Sequence, residues 1–305
     1  MDDKDWLMLQ YIHKERNFTK AAEQLYMTQP ALSYRLSQLE KEFGVPLIIK
    51  SGKVFRFTPE GEHLVAYAKN MLAELRKTTD FIVNMRSEVQ GNLHIGASIY
   101  YGQYELPQKL QLFLEMYPRV EVRVDTGFST EIIQALMQEE IQIGIVRGDY
   151  EWLDQKLLLG EEQISLISKT PIDPERLPSL PRINYRAPKL AVKAVRHTST
   201  SLDESISAWW YERYQQPPLI TMQVDSFETC KEMVRHGLGY AIIPSSFVRP
   251  SDQLHKLDLM LKNGEPITRK TWLLYRETAM QFTAVQKFVQ LLQADKEQEA
   301  ITEGP

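Results

Sequence analysis

The stretch Asn17–Pro46, NFTKAAEQLYMTQPALSYRLSQLEKEFGVP, carries the strongest structural signal in the chain. Thr28 can cap a helix there, because its hydroxyl can accept a hydrogen bond from a free backbone N–H of the first turn. Pro30 follows at a position where a missing N–H costs little. Apolar residues then recur at spacings of four, three and four, at Leu32, Leu36, Leu39 and Phe43. This period predicts one apolar helix face, which we expect to pack against a core.

The opposite face of this helix is polar and poor in acid. It comprises Gln29, Pro30, Ser33, Tyr34, Ser37, Gln38 and Lys41. Short polar groups on an exposed helix can donate to and accept from base edges of DNA, while Lys41 and the nearby Arg35 can reach phosphates. An ordinary amphipathic helix with a solvated face would show the same pattern, so the flanking segments decide between the two interpretations.

Those flanking segments favour DNA binding. Upstream, Thr19 can cap a helix that runs to Leu25, which gives a helix, a turn and a second helix. Residues 5–15 predict a further helix that backs this pair. Downstream, a short apolar run, a turn and an alternating run predict a hairpin or wing. Three cations in the wing can clamp phosphate, at Lys50, Lys53 and Arg56.

This segment resembles the winged helix-turn-helix of LysR-type transcriptional regulators over roughly 45 residues. The matching positions are Thr19, Ala21, Ala22, Leu25, Thr28, Gln29, Pro30, Ala31, Ser33, Leu39, Glu40, Gly44 and Leu47. The departures are Thr28 for serine, Ile48 for phenylalanine, Lys50 and Lys53 for arginines, and Glu60 for alanine. The resemblance implies that residues 1–58 form a DNA-binding domain. Its contacts are expected from Thr28, Gln29, Pro30, Ser33, Tyr34, Arg35, Ser37, Gln38, Lys50, Lys53 and Arg56.

Length and composition agree with a soluble protein of two or three domains, with 305 residues, 43% hydrophobic and 25% charged. The net charge of −4 argues against a nucleic-acid partner, but residues 1–58 carry nine Lys or Arg and seven Asp or Glu. The single cysteine, Cys230, excludes an intrachain disulfide and suits a reducing compartment. We find no signal segment, membrane-length apolar run or metal-spaced cluster, and we expect a cytoplasmic protein.

A long helix is predicted from Pro59 to about Met85, with Thr58 as its cap. Apolar residues alternate spacings of four and three along it, at Leu64, Ala68, Met71, Leu75, Thr78, Ile82 and Met85. Such a heptad seam calls for a partner helix. In the LysR family the linker helix pairs antiparallel with its copy, so we interpret residues 59–90 as a dimerisation helix with contacts at Leu64, Ala68, Met71, Leu75 and Ile82. The alternative is that the seam packs on the chain's own domains.

From Leu93 onward, short apolar runs alternate with helical patterns, which predicts an α/β fold with a largely parallel sheet. Gly237 and Gly239 precede a strand instead of joining a strand to a helix, which argues against a dinucleotide site. The resemblance implies an effector-binding domain over residues 91–295, built of two subdomains like those of periplasmic binding proteins. Subdomain I is expected at about 91–160 and 266–295, and subdomain II at about 161–265. Residues 296–305 are expected to form a disordered tail.

The resemblance also implies an effector site between the subdomains. Its expected positions are Ser98, Tyr100, Ser129, Thr130 and Arg147, with Arg196 or His197 closing over from the other subdomain. Two hydroxyls near helix N-termini and a guanidinium suit an anion. The pattern resembles family members that sense citrate and related polycarboxylates, so a di- or tricarboxylate is the expected effector. The alternative is that the two serines only cap helices and Arg147 is a surface residue.

We interpret the chain as a ligand-responsive transcription factor, not an enzyme, that acts as a dimer or tetramer on double-stranded DNA. RNA polymerase is a further expected partner, and no cofactor, metal or membrane is expected. One rival is an enzyme that the first domain tethers to DNA, although no nucleophile, base and orienting group are recognisable. The other rival is an architectural DNA binder whose α/β region only oligomerises.

Overall fold

The computed structural model describes residues 1–51, 54–84, 89–186 and 201–302. The chain divides into two compact units, Met1–Glu88 and Val89–Pro305. The elements of the first unit are α1 (Asp3–Glu15), α2 (Phe18–Gln24), α3 (Gln29–Phe43), β1 (Ile48–Ser51), β2 (Val54–Phe57) and α4 (Pro59–Asn84). This is the predicted three-helix core with a wing and a long following helix.

Local caps set the helix boundaries of the first unit. Thr28 caps α3 as predicted, since its hydroxyl accepts a hydrogen bond from the Ala31 N–H at 3.4 Å. The cap of α2 is Asn17 and not Thr19, because the Asn17 side chain accepts from two backbone N–H groups of the first turn. Thr58 accepts from the Gly61 N–H at 3.0 Å and caps α4.

The core of the first unit joins α1, α2, α3, the wing and the start of α4. Leu32, Leu36 and Leu39 lie in this core as predicted, but Phe43, the last residue of that face, is 46% exposed. Gly61 is required where α4 meets the wing region, because a Cβ there would lie 2.1 Å from the Leu47 carbonyl oxygen. The strands β1 and β2 pair antiparallel, with Ile48 opposite Phe57.

The second unit is α/β. Its strands are β3 (Gln90–Ser98), β4 (Arg119–Gly127), β5 (Ile143–Arg147), β6 (Gln155–Ser168), β7 (Arg182–Tyr185), β8 (Ile220–Val224), β9 (Tyr240–Pro244), β10 (His255–Asp258) and β11 (Thr268–Tyr275). Its helices are α5 (Ile99–Tyr104), α6 (Leu106–Met116), α7 (Ser129–Met137), α8 (Leu202–Tyr211), α9 (Phe227–Arg235) and α10 (Thr283–Thr302). Residues 296–302 therefore continue a helix instead of forming the expected disordered tail.

These strands follow the order β4-β3-β5-β11-β6-β9-β7-β8, and β10 also pairs with β6. Pairing is parallel within β4-β3-β5 and within β9-β7-β8, as the alternation of strands and helices predicts. It is antiparallel at β11 and β6, which the expectation of a largely parallel sheet did not include. Separate hydrophobic cores lie on each side of this antiparallel centre, which confirms two subdomains.

The long strand β6 passes from one subdomain to the other without a break. Its residues 155–163 pair with β11, and its residues 164–168 pair with β9 and β10. The expected boundary at residue 160 therefore falls inside a continuous strand. Because β6 and β11 carry side chains at the junction, charged residues on these strands can reach the cleft between the subdomains. No described helix combines the length and the apolar composition that crossing a bilayer requires.

Candidate functional site

The polar face of α3 is open to solvent over most of its length. Thr28, Gln29, Pro30, Tyr34 and Gln38 are exposed, and Ser33 and Ser37 are half-buried. The Gln29 side-chain amide donates to the Ser33 hydroxyl at 3.0 Å, so these two predicted base contacts are hydrogen-bonded to each other. Side chains of this kind can read base edges when such a helix enters a major groove.

Arg35 does not point to solvent as expected for a phosphate contact. Its Nε donates to the Asp5 carboxylate at 2.5 Å and its Nη2 to Asp2 at 2.7 Å. The side chain of Asp5 is only 9% exposed, so the pair fixes α1 against α3. The hydrogen bond to Asp5 is the main reason that the pKa of Arg35 is raised. The structure thus gives Arg35 a role in holding the domain together.

The wing contributes one described cation, Arg56, which is exposed on β2. Lys50 lies on β1, although its side chain is outside the described structure, and Lys53 lies outside the described residues altogether. Tyr26 was not among the predicted DNA contacts. It is 100% exposed in the turn between α2 and α3, close to the start of the polar helix face, and has a φ of 53°. Its position just before the Thr28 cap was the available signal.

The second unit brings together five predicted effector residues, Ser98, Tyr100, Ser129, Thr130 and Arg147, where β3, β5 and α7 meet. Arg147 is 3% exposed and Ser98 is 6% exposed. The Ser98 hydroxyl and two nitrogens of Arg147, Nε and Nη1, are buried without a hydrogen-bond partner. Such groups are costly to leave unpaired, so this cluster of donors is a candidate site for oxygen acceptors.

Ser129 was predicted to contact the effector, but in the structure its hydroxyl is bonded to the backbone of Arg147. It is the first residue of α7 and not its cap, and its hydroxyl both accepts from the Arg147 N–H at 3.0 Å and donates to the Arg147 carbonyl at 3.1 Å. Ser129 therefore fixes the backbone that carries Arg147. Thr130 beside it is half-buried. Arg196 and His197 lie outside the described residues.

Arg147 already has an acidic partner that the sequence analysis did not anticipate. Its Nη2 forms an ion pair with Glu162 of β6, whose side chain is 11% exposed. The same Nη2 donates to the Ser246 hydroxyl at 3.2 Å, and the guanidinium lies 4.2 Å from the centroid of the Tyr100 ring. Arg147 is therefore a buried cation, which excludes the alternative of a surface residue.

Ser246 ties the two subdomains together across the cleft. Its carbonyl accepts from the Tyr100 hydroxyl at 2.9 Å, and its N–H donates to Glu162 at 3.4 Å. Burial raises the pKa of Tyr100, which keeps this hydroxyl protonated as a donor. Phe247 packs on the same ring, with centroids 4.5 Å apart. Residues 245–247 form a short 3₁₀ turn directly after β9.

A second arginine, Arg269 of β11, completes the cleft and was also missed. Its Nη2 lies 3.4 Å from the Arg147 carbonyl, and its guanidinium faces the Phe227 ring at 5.7 Å. Burial and the neighbouring Arg147 lower the pKa of Arg269. Tyr185 stacks on Phe227 at 3.9 Å. The available signal for Arg269 was a charged residue near the start of an otherwise apolar strand, and for Glu162 it was an acid in the middle of the long strand β6.

Family comparisons agree with this two-unit arrangement. Residues 4–62 match the family model described as "Bacterial regulatory helix-turn-helix protein, lysR family", and residues 86–296 match "LysR substrate binding domain". The HTH-type transcriptional regulator YraN of Bacillus subtilis is 42% identical over 296 residues, which is 97% of this chain and 99% of that one. YkuM of the same organism is 33% identical over 96% of this chain and 97% of its own length.

Solved structures show the same fold at low sequence identity. Full-length OxyR from Pseudomonas aeruginosa has a TM-score of 0.63 at 21% identity and covers 97% of this chain and 94% of its own. CbnR in complex with its target DNA has a TM-score of 0.61 at 16% identity, and the match covers 96% of this chain and 99% of the CbnR chain.

A winged helix-turn-helix unit followed by a two-subdomain α/β unit with a lined cleft defines an effector-responsive, DNA-binding transcriptional regulator. The chain belongs to the LysR family of such regulators.

Proposed function

We propose that the cleft binds a small carboxylate effector and that this binding alters how the winged helices engage DNA. The observation that carries the proposal is the buried cluster of unpaired donors, namely the Ser98 hydroxyl and the Nε and Nη1 of Arg147. A carboxylate offers oxygen acceptors and a countercharge to such donors. A region that only oligomerised would not require these unpaired groups, so they favour a regulator over an architectural DNA binder.

A di- or tricarboxylate such as citrate remains our first choice of effector. Arg147 and Arg269 are two cations on opposite strands of the antiparallel centre, and they are linked through the Arg147 carbonyl. One carboxylate would accept from Ser98 and from the Nε and Nη1 of Arg147, while a second would bind Arg269. Tyr100 and Thr130 flank this position, and Arg196 or His197 would approach from the other subdomain.

Calorimetry with citrate, simple dicarboxylates, monocarboxylates and neutral analogues tests the proposal. Replacement of Arg147 by Ala should weaken binding by about 2–5 kcal/mol, because a buried carboxylate would lose its countercharge. Arg123→Ala is the matched control, since that side chain is 73% exposed on β4. An Arg147→Ala variant that binds as tightly as the parent, or a preference for neutral or cationic ligands, would refute the carboxylate assignment.

On the DNA side, we propose that Gln29, Ser33 and Ser37 read bases, with Thr28, Pro30 and Gln38 beside them. Contacts to phosphate would come from Tyr34, Lys50, Lys53 and Arg56, with Tyr26 added from the structure. Loss of one bidentate base contact costs about 1–3 kcal/mol and relaxes specificity at one position. If Gln29→Ala leaves operator discrimination unchanged at matched salt, base reading does not belong to this residue.

We further propose that α4 pairs antiparallel with its copy, that two such dimers form a tetramer, and that the assembly acts with RNA polymerase in the cytoplasm. The exposed apolar residues Leu75 and Ile82 support this pairing. Ala68, also expected at the seam, is fully buried in the winged-helix core and is not available to a partner, and Leu64 is 9% exposed at the edge of the same core. A catalytic role is the rival, and it predicts turnover where we expect only stabilisation by the ligand.

A further inference from the structure

An apolar groove lies at the C-terminal end of the helix α3, on the first unit. Its volume is about 430 Å³, and its walls are Phe43, Val45, Leu47, Pro59, Glu60, His63 and Leu64. Most of these residues are apolar, and a volume of this size can hold large side chains. The groove thus joins the end of α3, the loop that follows it and the first turns of α4.

Phe43 is the unusual member of this groove. Its position on the apolar face of α3 would place it in the core with Leu32, Leu36 and Leu39, yet 46% of it is exposed. The helix ends at Gly44, which has a φ of 70°, and the chain then turns away. Phe43 is therefore held at the rim of the groove, where a second surface can cover it.

The far end of α4 presents apolar side chains that the first unit leaves uncovered. Leu75 is 47% exposed, Ile82 is 59% exposed and Phe81 is 67% exposed. By contrast, Val65, Ala68 and Leu72, which lie nearer the start of the helix, are buried. An amphipathic helix with large apolar residues on its outer side is suited to packing against another chain.

We infer that the groove of one chain receives Phe81 and Ile82 from the linker helix of a second copy. The inference rests on the antiparallel pairing proposed above for α4. This helix has 26 residues, from Pro59 to Asn84. Full overlap of two antiparallel copies sets residue 59 opposite residue 84, and therefore residues 81–82 opposite residues 61–62. The groove residues Pro59, Glu60, His63 and Leu64 surround that point.

The groove and the Phe81 side chain of one chain cannot meet each other. Phe81 lies 17 positions beyond Leu64 on one continuous helix, which corresponds to roughly 25 Å at 1.5 Å per residue. A second chain is thus required, and a two-fold axis would fill both grooves in the same way. Since Phe43 is the last residue of α3, the contact would also fix the angle between the two recognition helices and so the spacing of their half-sites.

Site-directed cross-linking tests this arrangement. One chain carries Phe43→Cys and the other carries Phe81→Cys, and the two are co-expressed and treated with a short bismaleimide. We expect a cross-linked species that contains one chain of each kind. The native Cys230 is fully buried and gives no background reaction in the folded protein. Chains with Phe81→Cys alone should not cross-link, because antiparallel pairing holds their two thiols roughly 28 Å apart along the helix.

The outcomes separate this inference from the proposed dimer. A protein that sediments as a dimer but gives no mixed cross-link would overturn the groove contact and leave the helix pairing intact. Cross-linking of Phe81→Cys to itself would show a parallel pair and overturn both, as would a protein that sediments as a monomer.

A second measurement does not depend on the reach of the reagent. Phe43→Ser should raise the dissociation constant of the dimer tenfold or more, whereas Tyr26→Ser should leave it unchanged. Tyr26 is the matched control because it is a fully exposed aromatic residue of the same unit. A Phe43→Ser variant with an unaltered dimer, including one impaired only in its response to RNA polymerase, would assign the groove to another partner and refute the inference.

Discussion

Arg35 and Asp5 show how a cation on a DNA-binding helix can belong to the fold. Asp5 stands on α1 with 9% of its side chain exposed, and Arg35 is the group that neutralises it. Asp2 accepts from the same guanidinium, and the Asp5 N–H bond to Asp2 is the main reason that the pKa of Asp2 is lowered. Three charged groups therefore join the first helix to the third.

Replacement of Arg35 by Ala should lower the stability of the first unit by about 1–3 kcal/mol, because Asp5 would remain part-buried without its charged donor. Arg56→Ala removes the same charge from the exposed wing and should leave the melting temperature unchanged while it weakens DNA binding at low salt. Thermal unfolding followed by circular dichroism compares the two variants. Equal melting temperatures for both would show that Arg35 does not hold α1 against α3.

Cys230 is the other residue whose surroundings decide its chemistry. It lies fully buried on α9, and burial raises the pKa of its thiol to about 12. Only the thiolate reacts with disulfides, so the folded protein should react with a disulfide reagent at pH 8 far more slowly than the same chain in denaturant. Reaction at equal rates in both states would contradict this.

At the scale of elements, the strands β6 and β11 run through the junction of the two subdomains and place charged residues in the candidate effector site. Each strand pairs across the junction, and each contributes a charged side chain to it, Glu162 from β6 and Arg269 from β11. Glu162 forms an ion pair with Nη2 of Arg147, so an effector carboxylate has to compete with it for the charge of this guanidinium.

Glu162→Gln should raise the affinity for a carboxylate effector by roughly tenfold, about 1.4 kcal/mol, because it removes the competing charge from Arg147. Glu161→Gln is the matched control, since Glu161 is the adjacent, exposed acid and accepts from Thr268 instead. Calorimetry on both variants gives the comparison. A loss of affinity in Glu162→Gln would mean that Glu162 contacts the effector instead of opposing it.

Local patterns predicted most elements, and long-range pairing explains what they missed. The Thr28 cap, the wing and the linker helix follow from caps and periodicity within a few residues. The exposure of Phe43 could not be read from the period of α3, because it depends on where the chain turns after Gly44. Likewise, the Arg147–Glu162 pair depends on the strand order β5-β11-β6, which the sequence pattern does not specify.

At the scale of the whole molecule, the two halves of α4 have different surroundings. Its first half is part of the winged-helix core through Leu64, Val65 and Ala68, so the heptad seam is divided between the chain's own fold and a partner. Sequence spacing alone assigned Leu64, Ala68 and Leu75 to one interface. The structure separates them, because Ala68 is fully buried while Leu75 is 47% exposed.

That division gives a paired prediction for assembly. Leu75→Glu should leave the first unit folded but break the dimer, because a second copy would bury the new charge without a partner. Ala68→Glu places the same charge in the chain's own core and should unfold that unit.

Loss of the dimer removes simultaneous binding of two half-sites, which should reduce DNA affinity by roughly 10²–10⁴, more than the loss of any single phosphate contact. Light scattering, circular dichroism and binding to one and two half-sites measure these effects. If Leu75→Glu remains a dimer, the helix pair is not the interface. If Leu75→Glu unfolds like Ala68→Glu, the second half of α4 is part of the chain's own fold.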